Sequence, residues 1–537
     1  MKCKSIFAAL AIFLGMGFVC AQEEPDSALQ REFVIIASEH PYDLNPYTAN
    51  YSAEAQILSG LFEGLYSYDP KTLDPVPALA SEFKLSRDKK RWTFTIREGA
   101  KFSNGDPITA YSVRDSWLTL LATDGAPYAS LLDPISGVEA FRMGRVKSDS
   151  VGIIARDERT LVVRLDSPTA HLQRILCHHA FGIVNGKKNV YSGAFVLKSH
   201  TNGEIRLEKN ENYWDAAHVY LPAITIKGSN DAKENSWKFN TGNADWVSGM
   251  VDTAAILNKN AIRIAAEYGT EYLFFSCKNE PWDKADFRNA LVAAVPWAAL
   301  RKNSLVPAKT FVYPLTGNRD VEGLEETAPE EALDLIALAR EKAGMSKSKK
   351  LTLTFGITNS ERMKKQVEIL KVAWEPLGVE LKVQTTPEDR YLLSIPSWNA
   401  DLFTYSWIGD FADPLAFLEL FREGSTLNQS KWHNREYNRL LQASSETTDT
   451  IERNKLLSAA EQVLLDDGVI LPISHSVCLH AINPETVGGW YTNTLDIHPF
   501  KYMYIKEEII TDKPSIFEPC NFKFKEETAA VPGIVLR

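Results

Sequence analysis

Apolar positions along this chain alternate between two periods, and each change of period marks an element. Residues 33–37, Phe-Val-Ile-Ile-Ala, form a short continuous apolar run that predicts a buried strand, followed by a turn-rich loop at 41–46. From 53 to 65, Ile57, Leu58, Leu61, Phe62 and Leu65 are spaced by three and four, which predicts an amphipathic helix. Residues 73–80 cross to a second unit. It opens with a period-two strand at 92–97, a long turn with two glycines at 98–107, and a helix capped by Thr109 with Val113, Trp117 and Leu120 on one face. A further strand is predicted at 160–165. Later, a strand at 351–355, a helical stripe of Val367, Leu370, Trp374 and Leu377 ended by Gly378, and a strand at 379–383 make a βαβ unit with parallel, right-handed strands. Leu402 and Phe403 end another strand, and Leu415, Phe417, Leu418, Leu420 and Phe421 return at helical spacing. A long amphipathic helix is expected at 450–465, after which 469–473 carries the chain back. The alternation argues for an α/β fold.

With 537 residues, 45% hydrophobic and 10% aromatic, the chain divides into two or three lobes. A net charge of -10 argues against a nucleic-acid or acidic-membrane partner, both of which require a basic face. The start, Met1-Lys2-Cys3-Lys4 before an apolar run at 6–19, describes a signal peptide, with cleavage after Ala21; lipid modification at Cys20 is the rival reading. No later apolar run is long enough to span a membrane. Cleavage leaves Cys177, Cys277, Cys478 and Cys520, without paired spacing, so no disulfide framework is indicated.

The stretch 405–414, Tyr-Ser-Trp-Ile-Gly-Asp-Phe-Ala-Asp-Pro, concentrates the candidate chemistry. It lies in a loop at a strand's carboxyl end, where α/β sheets place ligand groups. Asp410, desolvated by Trp407 and Phe411, suits a cation; the alternative is simple helix capping, with Asp413 and Pro414 supplying the turn and first helical position. His178-His179 beside Cys177 invites a metal reading, but adjacent histidines do not face one ion from regular structure, and the pair is assigned a structural or surface role. No hydrolase, metalloprotease or phosphate-loop motif occurs, and Asp466-Asp467 reads as a solvated helix end. The strand at 92–97, the Trp117 helix and Tyr213-Trp214 read as packing.

Residues 92–117 resemble, nearly position for position, the signature of the extracytoplasmic oligopeptide-binding and dipeptide-binding proteins of ABC importers. Residues 61–79, the block Asn-Glu-Asn-Tyr-Trp-Asp at 210–215 and Phe287-Arg288-Asn289-Ala290-Leu291 are similar to further family blocks in the same order. The resemblance covers about residues 30 to 505. It implies an α/β, two-lobed periplasmic-binding-protein-like fold of type II with an additional subdomain in the first lobe. The implied division is a signal peptide at 1–21, lobe I at 22–61, 190–276 and 478–507, the subdomain at 62–189, lobe II at 277–477, and a tail at 508–537. Two crossings, near Cys277 and Val477, would form a hinge. The implied function is capture of short peptides by closure and delivery to ABC permease membrane subunits, by a periplasmic or extracytoplasmic monomer with no cofactor, no metal, no nucleic-acid partner and no catalysis. Nickel complexes, oligosaccharides or haem are alternative ligands on the same fold, and a secreted peptide hydrolase is the alternative of another class. By the resemblance Asp410 takes the ligand's amino group and Trp407 walls a side-chain pocket. Tyr405, Gly409, Phe411, Asn50, Tyr51 and Thr404 complete the ligand-binding set, with strand-like edges expected at 45–51 and 405–409. Asn50 and Thr404 stand where well-known oligopeptide binders carry an acidic residue and an arginine. The shortened segment between Leu176 and Tyr191, and Ser192-Gly193-Ala194-Phe195, are further departures that leave peptide length and preference open.

Overall fold

Eleven strands of the described residues join one mixed sheet. In chain order they are β1 Phe33–Ala37, β2 Phe195–Thr201, β3 Glu204–Lys209, β4 Ala223–Gly228, β5 Trp246–Ser248, β6 Ile262–Phe275, β7 Val306–Pro307, β8 Leu351–Thr358, β9 Val379–Thr386, β10 Leu402–Ile408 and β11 Ile470–Ile482. The order across the sheet is β9-β8-β10-β6-β11-β5-β1-β4-β3-β2, with β7 also on β11. This computed structural model describes residues 30–169, 171–201, 203–314, 320–409, 411, 413–447 and 449–506. The expected leader at 1–21 with its Cys20 alternative, Asp410, Cys520 and the tail at 508–537 lie outside them.

The sheet belongs to two lobes joined by its two longest strands. At one end β6 pairs β11 through Ala265 opposite Cys478 and Ala266 opposite Val477; at the other, Thr270 lies opposite His475 and Phe274 opposite Ile470. Between them the register breaks, with residues 267–269 of β6 set against Ser476 alone. Such a bulge bends and twists a strand where a straight ladder would run on. Around β1, one core gathers Phe33, Phe195, Ile224, Phe500 and Met503. Around the parallel β8–β9 pair, another gathers Leu353, Phe355, Val367, Leu370, Trp374 and Leu402. The helix between these strands, Glu361–Trp374, is followed by a 3-10 turn, and Gly378 at φ 74° reverses the chain as its sequence position predicts.

A second sheet of four antiparallel strands, Ala80–Leu85, Arg91–Ile96, Thr160–Arg164 and Ile153–Ala155, carries the Trp92 signature. Thr109 caps the helix Ala110–Ala122 by accepting from the Ser112 amide, and Val113, Trp117 and Leu120 are buried. This unit shares a core with the second lobe, where Tyr128 meets Trp407 and His171 stacks on Phe411. Ser130 and Asp133 also meet that lobe: Thr426 donates its amide to Ser130 Oγ at 3.2 Å, and Arg422 reaches Asp133 at 2.9 Å.

The predicted helix at 53–65 is shorter, Ser52–Leu61. Phe62 turns extended at φ -128° and ψ 120°, so its ring stays in the first core while Leu65, expected on the same stripe, enters the core of the neighbouring unit. The apolar period continues across two cores, which local spacing cannot distinguish from one helix. Tyr213 is buried as a packing residue, and Arg97 stacks over the Trp214 ring at 3.7 Å. Cys177, Cys277 and Cys478 are free thiols.

Candidate functional site

Strand β10 has a partner on both sides only at its start. Leu402 and Phe403 pair with Phe355 and Gly356 of β8, while Leu402 through Ile408 all pair with β6. Where β8 leaves, the Tyr391 hydroxyl bridges the gap: it donates to the Gly356 carbonyl at 2.8 Å, lies 3.1 Å from the Thr404 carbonyl and accepts from the Thr404 amide at 3.0 Å. The Thr404 backbone therefore points away from β6, and by strand alternation so do the amides and carbonyls of Ser406 and Ile408. No strand covers them among the described residues.

That uncovered edge faces a cavity of about 360 Å3 between the lobes. Tyr405, Trp407 and Gly409 form one wall, Asn50, Tyr51 and Ser52 another, and Tyr128, His178, His179 and residues 495–497 close it. Trp407 is held in place: its Nε1 donates to the Ala416 carbonyl at 2.9 Å, and its ring stacks near Tyr405 at 6.4 Å. Thr404 and Phe411 do not line the cavity. The Thr404 backbone is committed to Tyr391, and Phe411 is buried under His171. Asp413 Oδ1 accepts the Leu415 amide, and the carboxylate pairs with Arg453 at 2.6 and 2.9 Å. Burial disfavours its charge, but Arg453 holds it below the usual carboxylate range. Asp413 thus supplies the turn ahead of the helix Leu415–Leu418, as expected of it.

The expected second edge at 45–51 takes another form. Residues 46–48 are a turn, and Glu54, buried in the first turn of the following helix, accepts the amides of Asp43, Asn50 and Tyr51 at 2.7, 2.9 and 3.1 Å. Those donors are spent inside the loop, so Asn50 and Tyr51 meet the cavity as a fixed wall and offer no amide edge. His178 and His179 are both buried, which removes the surface half of their assigned role. Burial pushes His178 down to about 3 and His179 well below its ordinary value, so both are neutral walls of the cleft. Their aromatic contacts with Tyr128 and their place in the cleft had no signal in the local sequence, and neither had residues 495–497, which lie over 80 positions beyond Gly409.

The family model "Bacterial extracellular solute-binding proteins, family 5 Middle" matches residues 74–429. The chain belongs to this family. Among relatives of this solute-binding protein, the dipeptide-binding protein DppE of Bacillus subtilis is 28% identical over 493 residues, 87% of this chain and 89% of that protein. The periplasmic murein peptide-binding protein MppA of Escherichia coli is 28% identical over 507 residues, 89% of this chain and 94% of that one. The solved structure of the Escherichia coli murein tripeptide binding protein MppA superposes with a TM-score of 0.77 at 27% identity, covering 89% of this chain and 99% of that one. The Haemophilus influenzae OppA complex with RPPGFSPFR, at 24% identity, gives 0.78 and shares the two-lobed α/β fold.

One cluster of metal-ligand types lies in this solute-binding protein near the cleft: donor atoms of Cys478, His480 and Asp496 fall within 4.8 Å of one another. The histidine's hydrogen bonds argue against a metal there. Trp246 Nε1 donates to His480 Nδ1 at 3.2 Å, which puts the imidazole proton on Nε2, and Nε2 lies 2.8 Å from Asp496 Oδ1. His480 thus has no lone pair left for an ion, and the three residues form a hydrogen-bonded cluster without a complete ligand set.

Gly409 matters to the cleft for a steric reason. A Cβ there would come within 2.5 Å of the fully buried Tyr268 ring, and the Gly409 amide donates to the Tyr268 carbonyl at 2.7 Å. Gly409→Ala is expected to destabilise the protein by about 1–3 kcal/mol through this overlap. A thermal melt of the variant within a degree of the parent would show that Tyr268 yields freely.

Proposed function

We propose that this chain is the extracytoplasmic substrate-binding component of an ABC importer, which captures short peptides between its lobes and hands them to a membrane permease. The observation that carries this reading is the uncovered edge of β10, where Ser406 and Ile408 present backbone groups to a cavity between aromatic walls. An extended peptide satisfies such groups strand to strand, whatever its side chains, which gives affinity with broad tolerance. The names of the relatives agree with this ligand class. Asp410, next in sequence after the Gly409 wall, is assigned to the ligand's amino terminus; a carboxylate in a closing cleft is costly until a cation pairs with it. The protein works as an exported monomer, delivers its ligand chemically unchanged, and divides at the lobe boundaries given above.

Native mass spectrometry of residues 22–537, purified without denaturation, tests the ligand class. A spread of added masses that resolves into mixed short peptides supports it, whereas a single non-peptide mass would overturn it. Asp410→Ala is expected to weaken binding of a tripeptide by at least about 2 kcal/mol, roughly 30-fold, with the melting temperature of the ligand-free protein unchanged. Calorimetric titration checks this, and parental affinity in the variant removes the role.

A further inference from the structure

A second cavity of about 520 Å3 adjoins the cleft, and Ser52 and Asp496 line both. Its walls are largely apolar, with Ile35, Ile57, Trp246 and Phe500 among them. Two carboxyl groups face it, Glu267 and Asp496, and among the described residues no lysine or arginine does.

Among the described residues neither carboxyl is paired with a lysine or arginine. Glu267 sits in the β6 bulge, is only 8% exposed, and its carboxyl has no hydrogen bond or ion pair among the described residues. Asp496 Oδ1 is approached by His480 Nε2 at 2.8 Å and His498 Nε2 at 2.9 Å. The two imidazoles hold the Asp496 carboxyl well below its ordinary value against the effect of burial, so Asp496 brings a negative charge to the chamber. Behind Glu267 lies a polar groove with Arg362 and Lys365, but Arg362 is committed to Glu271 at 2.6 Å. An ionised Glu267 in this apolar chamber, beside the Asp496 charge, is unfavourable until a cation joins the two.

We infer that this chamber is a subsite for a cationic group of the ligand, an ammonium or guanidinium on an aliphatic stem, held between Glu267 and Asp496 with its stem along the apolar wall. The inference rests on the peptide reading, under which the group is a lysine or arginine side chain of the captured peptide. Burial, and then the Asp496 charge, push the Glu267 carboxyl up to about 8, so at pH 7 it is protonated in the empty chamber. An arriving ammonium reverses that preference and displaces the proton. The ionisable groups around it are Asp496 with His480 and His498, Tyr42 and Cys478 on the wall, and Glu271, Arg362, Lys365 and His475 in the groove behind.

The test is calorimetric titration of the parent and of Glu267→Gln, which preserves shape. The probes are tripeptides of alanine carrying lysine at each position in turn, their norleucine counterparts, and 1,5-diaminopentane. For one lysine position the parent is expected to bind about tenfold tighter than the norleucine peptide, a preference that Glu267→Gln reduces to near parity. Norleucine peptides should bind both proteins alike. Enthalpies in buffers of different ionisation heat should show proton release on lysine-peptide binding at pH 7 in the parent alone. Equal affinity for lysine and norleucine peptides, or a preference that survives in Glu267→Gln, overturns the subsite and leaves the peptide reading standing. If no tripeptide binds, the peptide reading fails. Saturable binding of 1,5-diaminopentane that is lost in Glu267→Gln would then support the cation subsite alone, and its absence would overturn that too.

Discussion

Lys501→Met is expected to lower the stability of the ligand-free protein by about 3–5 kcal/mol, because it leaves a buried carboxylate without its cation. Lys501 Nζ lies 2.8 Å from Glu63 Oε1, the Tyr213 hydroxyl donates to the other oxygen of Glu63, and all three groups are shielded from solvent. Desolvation alone would lower the lysine, yet Glu63 holds it well above its ordinary value. The three residues come from distant parts of the chain: the end of the first helix, the Tyr213-Trp214 block and the last described segment. Removing the cation therefore loosens the first core where its segments meet. Urea unfolding of the parent, of Lys501→Met and of the double variant Glu63→Gln/Lys501→Met measures this, the double variant recovering part of the loss. If Lys501→Met unfolds at the parent's midpoint, the pair contributes nothing net.

The second large effect is on pH dependence. Glu267 has an ordinary value of 4.5 and is raised to about 8 in the folded protein, by burial first and Asp496 second. In this window the native state binds a proton that the unfolded chain has released. The contribution is thus fully present below the unfolded value and is lost as pH climbs towards the folded one. Each pH unit costs about 1.4 kcal/mol, so ligand-free stability is expected to fall by on the order of 4 kcal/mol between pH 4.5 and 8 from this group alone. Glu267→Gln cannot ionise and should flatten that part of the profile, becoming the more stable protein at pH 8. Denaturant midpoints for both proteins at half-unit steps decide it; parallel profiles would mean that Glu267 is solvated in the native state.

Much of the scaffold was legible in the sequence. The Trp92 strand, the Thr109 cap with its Val113, Trp117 and Leu120 face, and the βαβ unit closed by Gly378 all appear where spacing put them. These features depend on period, capping and positive φ, which act within a few residues. The site was less legible. Trp407, Gly409, Asn50 and Tyr51 meet one cavity, but the loop before Tyr51 is a turn ordered by Glu54, whose role needs three amides to converge on one carboxylate. Thr404 and Phe411, close in sequence to the cleft wall, do not line it, because the Thr404 backbone is taken by the Tyr391 hydroxyl and Phe411 finds a partner in His171.

By itself the sequence determined the Trp92 strand, the Thr109-capped helix and the βαβ unit, that the fold is α/β, and through several blocks in order which family the chain resembles. Tertiary structure alone decided that β10 loses its neighbour after Phe403, that His178 and His179 are neutral walls of a cleft, and that Glu267 and Asp496 face one chamber without a cation. The physical reason is that an apolar period records that a face is buried and leaves open what it is buried against. Charge compensation and strand coverage depend on partners hundreds of residues away.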